Sequence, residues 1–585
     1  MLIHCLSILI SFLFRTQFNG GDKPMFVLKH SWPEPPVNWQ LHSNPPPEHM
    51  LKLYIGLKQS HMDDMIEHLL EVSDPTSERY GDHLTKETLN QLVAPTPQSI
   101  NAVDEWLKEN DIDISAYQRS EAGDWLYVNV PLWKAEIMLQ TKYHVFQHEE
   151  TGESIIRTLS WSLPKYLEEH IDVVAPTSSF TRSRPMLQQL SQIQVPLQTT
   201  TSASQVSLDS LSNVCNATAI TPDCLRTLYG SIDYVPSATD QNQIGITGFL
   251  EQYASYSDLT DFMKIYRPDV DDKDASFTIV QINGGGNNQS NPGIEANLDI
   301  QYAVGITYPT PNVFYSVGGR PPSIPDDTTP ANSSEPYLDF LEYILQQDDI
   351  PLVISNSYGD TEQTVPKDYA IRICNEYAKL GALGKTVLFA TGDYGVGMAP
   401  CTTNDGSNIT HFQPDFPTSC PWITAIGGTA DIGPERAAHL SGGGFSNYFP
   451  QPTWQKAAVK QFLDQLGDKY EGLYNTSGRA YPDGAAHAEY FEVVVDGKVL
   501  SIFGTSAACP TFAAIISLVN DYRLSQGKTS LGFLNPLLYK YPKLLTDITT
   551  GYNPGCGTGG FNATTGWDPV TGLGTPNFKE FQKLL

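Results

Sequence analysis

The sequence predicts an α/β protein: a parallel sheet with helices on both faces, preceded by a smaller α+β unit. Three observations carry this. The chain has 585 residues, more than one hydrophobic core normally supports, so two domains are expected. Beyond about residue 240, apolar strand-like runs alternate with helical segments, the signature of a parallel sheet. Residues 50–180 carry their own strand and helix signals, and a Ser/Thr/Gln-rich stretch of little periodicity follows them.

The chain opens with MLIHCLSILISFLF, an apolar run too short to span a bilayer and followed by polar sequence, so residues 1–20 are expected to be a secretory signal peptide. Residues 21–180 form the expected first unit, with LKLYIGL and WLYVNVP as strands and SHMDDMIEHLLEVSD and SINAVDEWLKEN as helices. Residues 181–206, within APTSSFTRSRPMLQQLSQIQVPLQTTTSASQVSLDS, are expected to be an exposed, cleavable linker. Residues 207–585 form the larger domain. Its strand signals are QIGITGFL, FTIVQING, NVFYSVG, PLVISNSYG, TVLFATGD and WITAIGG, with GIEANLDIQYAVG and KDYAIRICNEYAKLG as helices between them. VVVDGKVLSIFGTS adds a hairpin with an Asp-Gly turn. In such sheets active residues gather in loops at the carboxyl ends of strands.

Composition narrows the function. A formal charge of −29 with a pI near 4.7 disfavours nucleic acid and anionic membranes as partners and suits a protein that stays soluble in acid. After the amino-terminal run, no stretch reaches the roughly 20 apolar residues of a membrane span. Six N-x-Ser/Thr sequons, at Asn216, Asn288, Asn332, Asn408, Asn475 and Asn562, all lie after residue 200, which suggests a glycosylated, secreted domain. Of eight cysteines, Cys5 would leave with the signal peptide. Cys215 and Cys224 can close a small loop, and one pair is expected among Cys401, Cys420 and Cys556. Cys374 and Cys509 read as buried small apolar residues.

FGTSAACPTFAA sets Ser506 at the start of a small-residue helix, where backbone N–H groups favour developing negative charge. Serine is also a preferred N-cap, so Gly-Thr-Ser alone indicates no more than a cap. A nucleophilic serine needs a base. From residue 201 onward there are only three histidines, His411, His439 and His487, against 21 Lys+Arg and 40 Asp+Glu. None is followed by glycine or opens the domain, so each is expected on the surface or in a loop, and the base is sought among carboxylates.

In GGGNNQSNPGIEANLDIQYAVG, Glu295 and Asp299 stand four apart on one helix face. For an arbitrary pair a solvated acidic face is the plain reading. Here the helix has no compensating Lys or Arg, and a glycine-rich loop before it permits close approach of another backbone. A carboxylate still accepts protons in acid, where imidazole is already protonated. ATGDYGVG places Asp393 after an apolar strand, where a carboxylic acid kept protonated can donate to an oxyanion; alone it would be an ordinary turn aspartate.

With Glu295, Asp299, Asp393 and Ser506 in that order, the chain resembles the sedolisins, or serine-carboxyl peptidases, over nearly its whole length. The likeness rests on IEANLDIQYA, FATGDYG, FPTSCPWITAIGGT, SGGGFSNYFP and GTSAACP, with SDPTSERYGDHLTKETL similar to the family's pro-domain. CNATAITPDCLRTLYG resembles fungal secreted tripeptidyl-peptidases. The resemblance implies a subtilisin-like fold behind a ferredoxin-like pro-domain that acts as intramolecular inhibitor. It implies Ser506 as nucleophile, Glu295 as base, Asp299 as its support and Asp393 as oxyanion donor, acting on peptides and proteins. It also implies one structural Ca2+, held by Asp547 and Asp568 with carbonyls of Ile548, Thr564 and Gly566, although glycine is expected at 564. An endopeptidase of the same fold and a non-catalytic secreted glycoprotein are the alternatives.

Overall fold

The computed structural model describes residues 25–32, 34–35, 39–148, 154–178, 211–270, 275–319 and 336–585. The expected signal peptide, the expected linker and the Asn332 sequon lie outside these residues. Among the described residues, no helix is long and apolar enough to cross a membrane.

In the amino-terminal unit, strand Met50–Leu57 alternates strictly, with Leu51, Leu53, Ile55 and Leu57 buried on one face. It is central to a four-stranded antiparallel sheet ordered Tyr117–Arg119, Trp125–Pro131, Met50–Leu57, Ile171–Ala175. Helix Pro97–Glu109 covers that face with Val103, Trp106 and Leu107. Thr96 sets its start by accepting from the Ser99 N–H, and Pro97 fills the first turn, where its missing N–H costs nothing.

In the larger domain the expected strands form one eight-stranded sheet. Six run parallel in the order Thr278–Ile282, Asn312–Val317, Ile244–Gly248, Val353–Asn356, Thr386–Ala390, Thr424–Ala430. Gly484–His487 joins parallel beside Thr424–Ala430, and Arg436–Ala437 pairs antiparallel with it. The runs are continuously apolar because both faces are covered. Ile246, Phe314, Val353 and Leu388 enter one core with helices Ile294–Thr307 and Thr505–Ser525. Their neighbours Val313, Tyr315, Ile354 and Phe389 enter the opposite core with helices Tyr337–Leu345 and Lys367–Ala382. The Asp-Gly hairpin forms from Phe491–Val495 and Lys498–Ile502.

Three disulfides form, Cys215–Cys224, Cys401–Cys556 and Cys374–Cys420. The last corrects the expectation for Cys374: the helix at 367–382 brings it to the loop before strand Thr424–Ala430, a proximity that sequence spacing does not display. Cys509 is free and buried, as expected.

The two units share apolar cores. Trp125, from the first unit, is 1% exposed within the second core of the larger domain, and the Arg372 guanidinium lies 4.8 Å from its ring centre. Asp124 beside it accepts from Arg372 (2.9 Å), Lys379 (2.7 Å) and Gln59 (2.8 Å). Arg372 also donates to the Leu57 carbonyl (2.6 Å). The Tyr127 hydroxyl donates to Glu342 across the same boundary. Nearby, His83 presses against Gly384 and Gly532, both at positive φ; a Cβ on either would lie 2.3 or 2.6 Å from an imidazole nitrogen.

Candidate active site

Gly504, at φ 147°, turns the chain so that the helix begins at Thr505 and places Ser506 in its first turn. A Cβ at 504 would stand 2.8 Å from Asp393 Oδ2, so glycine is required by space as well as by backbone conformation. The N-cap position is Gly504, so Ser506 lies inside the first turn and is not the cap. Its neighbours Thr505 and Ala507 are buried while Ser506 itself is half-buried, so the hydroxyl is presented, not spent on the helix.

Helix Ile294–Thr307 packs against the serine helix and is buried at every residue from Ala296 to Thr307. The acidic pair is therefore not a solvated face. Asp299 is fully buried and Glu295 Oε1 is enclosed; neither Glu295 Oε1 nor Asp299 Oδ2 has a hydrogen-bond partner among the described residues. Gln252 Oε1 accepts from the Glu295 N–H at 3.2 Å and fixes the helix start.

The Ser506 hydroxyl donates to the Ser357 carbonyl at 3.4 Å, and it lies close enough to Glu295 to pull that carboxyl's pKa down. Ser357 in turn donates to Asp299 Oδ1 at 2.9 Å and reaches the Ser506 carbonyl at 3.2 Å. Asp393 Oδ1 accepts from the Thr505 N–H (2.7 Å) and hydroxyl (2.9 Å). The structure thus gathers Glu295, Asp299, Asp393 and Ser506 in one place. Ser357 was not singled out from the sequence; its place at the end of strand Val353–Asn356, where active residues collect, was the available signal.

Burial dominates the electrostatics. It pushes the Glu295 carboxyl up, the Ser506 hydroxyl pulling it back and the Asp393 charge pushing it further. Asp299 is raised well above the usual range by burial and then by Glu295, with Ser357 opposing. Asp393 is raised by burial against its bonds from Thr505. Two buried carboxyls so close cannot both ionise easily, so the pair holds one proton over a wide range and titrates as a unit.

Among the described residues, no histidine makes a hydrogen bond with Ser506, Glu295 or Asp299. His411 is half-buried and His439 lies exposed against Tyr552. His487 departs from the expected surface position: it is fully buried in strand Gly484–His487, bonds the Glu489 carbonyl at 3.0 Å, and burial lowers its pKa to about 4. Its flanking alanines and glycine, GAAHA, are the small residues of a strand buried at every position.

At the carboxyl end, Asp568 is fully buried and accepts from the N–H groups of Thr564 (2.8 Å), Val570 (3.1 Å) and Thr571 (2.9 Å). Asp547 accepts from the Gly566 N–H at 2.9 Å and from the Ile548 N–H. The five expected ligand residues are thereby brought together. Gly566 takes the left-handed position at φ 88°. Burial pushes Asp568 up to about 7, and Thr564 Oγ1 is buried without a partner. Among the described residues no group of three or more His, Cys, Asp or Glu side chains is placed to hold a metal ion. Two carboxyl groups and a buried, unpartnered hydroxyl are oxygen donors, the kind that suits a hard cation.

Fold and site define a serine-type peptidase whose nucleophile is surrounded by carboxyl groups in place of imidazole. Residues 37–180 match the pro-kumamolisin activation domain. The chain is 40% identical to tripeptidyl-peptidase SED2 of Arthroderma otae over 573 residues, 94% of each chain. It is 40% identical to a probable tripeptidyl-peptidase SED3 of Trichophyton verrucosum over 577 residues, again 94% of each. Among solved structures, a Pseudomonas sedolisin (serine-carboxyl proteinase) covers 63% of this chain and 98% of its own at 22% identity, with a TM-score of 0.47. The chain belongs to the sedolisin, or serine-carboxyl peptidase, family, and its amino-terminal unit is the family's activation pro-domain.

Proposed function

We propose that this protein is a secreted, acid-active zymogen whose mature domain removes tripeptides from the free amino terminus of peptides through an acyl-enzyme on Ser506. The observation that carries the reading is the gathering of the Ser506 hydroxyl, Ser357 and the buried Glu295–Asp299 pair, with no histidine bonded to them among the described residues. Glu295 takes the hydroxyl proton as Ser506 attacks the carbonyl carbon, and Asp299 shares the proton. Protonated Asp393, held against Thr505, donates to the tetrahedral oxyanion. The amine leaves with the proton, and water then hydrolyses the ester by the reverse relay. Because Asp393 must stay protonated, turnover belongs on the acid side of neutrality. The tripeptidyl specificity is carried over from the named relatives.

Four of the sequons place their asparagine exposed on the surface, Asn216, Asn288, Asn408 and Asn562, which supports glycosylation there; Asn475 is half-buried. One Ca2+ would be held by Asp547 and Asp568 with oxygens of Ile548, Thr564 and Gly566, and it would supply charge that keeps the buried Asp568 ionised. The pro-domain is expected to be released by cleavage between residues 181 and 206.

The test is turnover at acid pH of a free peptide and its N-acetylated form. Tripeptides from the free peptide alone support the reading. Internal cuts in both make the protein an endopeptidase. Full activity in Ser506→Ala or Glu295→Gln overturns the mechanism, and failure to react with an acylating or aldehyde inhibitor leaves a binding glycoprotein.

A further inference from the structure

We infer that Ser357 is a positioning residue that sets the protonation state of the Glu295–Asp299 pair. The inference rests on the reading of that pair as the base. Ser355 and Ser357 project from the same face of the strand end, as alternate residues do, toward the serine and carboxylate helices. Ser355 is used up on the buried Cys509 thiol, at 3.4 Å from Sγ. Ser357 faces the catalytic group: its hydroxyl lies 2.9 Å from Asp299 Oδ1 and 3.2 Å from the Ser506 carbonyl. Its own carbonyl is the resting partner of the Ser506 hydroxyl at 3.4 Å.

A hydroxyl carries one proton, so Ser357 can donate to Asp299 or to the Ser506 carbonyl, not to both. Among the described residues it is the one hydrogen-bond donor to the Asp299 carboxylate, whose other oxygen has no partner. When Asp299 is ionised, its charge draws the Ser357 proton. When Asp299 is protonated, that attraction is gone, and the proton turns to the carbonyl of the nucleophile's own residue. The occupancy of the carboxyl pair is thereby transmitted to the serine loop through one rotating O–H.

The other groups facing Asp299 cannot take this part. Glu295 shares its proton and is an acceptor. The Cys509 thiol, pushed by burial up to about 12, stays neutral throughout the working range and is engaged with the Asn356 carbonyl at 3.5 Å. Asp393, protonated in the working range, is held on Thr505 and makes no bond to Asp299 among the described residues. The direction follows: a donor to the carboxylate stabilises the ionised pair, so its removal makes the pair easier to protonate.

The experiment is the pH profile of kcat and KM for the processed enzyme carrying Ser357→Ala, Ser357→Thr or Ser357→Cys. A hydrogen bond to a charged group is worth about 1.5 pH units of carboxyl titration. In Ser357→Ala the acid limb of kcat is therefore expected to move up by about one pH unit, with KM nearly unchanged. Ser357→Thr, which keeps the hydroxyl, restores the limb. Should the alanine variant fail to accumulate, Ser357→Cys carries the test, because a weak donor shifts the limb in the same direction. An acid limb at the wild-type position in the alanine or cysteine variant, or a change confined to KM, overturns the inference. Its failure is distinct from failure of the base assignment, which would show as retained activity in Glu295→Gln.

Discussion

Asp393 is fastened to the residue before the nucleophile: one of its carboxylate oxygens accepts both the N–H and the hydroxyl of Thr505. Asp393, the proposed oxyanion donor, and Ser506 are thus held on one corner, with Gly504 leaving the space between them. Preorganisation of this kind spares the reaction a reorientation at the moment charge develops.

Asp393 works only as a carboxylic acid, and burial raises its pKa above the usual carboxylate range. Activity is present below that pKa and is lost as pH rises through it. Asp393→Asn, which keeps a donor, is expected to flatten the alkaline limb while losing about 10-fold in kcat; Asp393→Ala loses about 100-fold or more. Steady-state profiles of the three proteins check this.

The pro-domain latch contains an acid-sensitive wedge. His83 is lowered to about 4 by burial first and then by Lys385, Arg523 and His68, with Asp82 opposing. A depressed histidine gives docking energy that is fully present above the free value near 6.5 and is lost as pH falls from there to about 4. The difference is worth at most about 3 kcal/mol. In the uncleavable Ser506→Ala background, His83→Gln is expected to lower the pH at which the pro-domain opens, read by limited proteolysis across that window. Identical openings with and without His83 would remove it from the latch.

Asp124 bridges Arg372 and Lys379 inside the interface, all three nearly inaccessible to water. Replacing one member of a buried pair strands the others, at a cost of about 3–5 kcal/mol. Asp124→Asn is expected to lower the melting temperature of the Ser506→Ala zymogen by several degrees and leave the processed enzyme's kcat unchanged. Scanning calorimetry of the zymogen, with turnover of the processed form, tests both halves.

Divalent cation removal gives the remaining test. Chelation is expected to lower the melting temperature of the mature enzyme, with Ca2+ restoring it. Asp568→Asn abolishes the difference. Equal melting with and without chelator would argue that Asp568 is sustained by its backbone N–H donors alone.

Much of the fold was legible because strands buried on both faces spell continuous apolar runs, as TVLFATG and NVFYSVG do. The Glu295 and Asp299 pair was legible because helical spacing aligns them on a helix with no compensating Lys or Arg, behind a glycine-rich loop. What escaped the sequence depends on partners distant along the chain. Cys374 looked like a small apolar residue until its helix met the loop of Cys420. Arg372, Glu376 and Lys379 form what a sequence shows as the wet face of KDYAIRICNEYAKLG, and only docking of the pro-domain makes them a buried ion cluster. Ser357 has no spacing signature at all, since its partners come from two other helices.

The shared aromatic core has an ageing consequence. Trp125 fills a socket that belongs to the peptidase yet is supplied by the pro-domain. Were the proposed cleavage to part the two, it would uncork that socket, so the event that switches the enzyme on would also strip it of a plug it cannot recover.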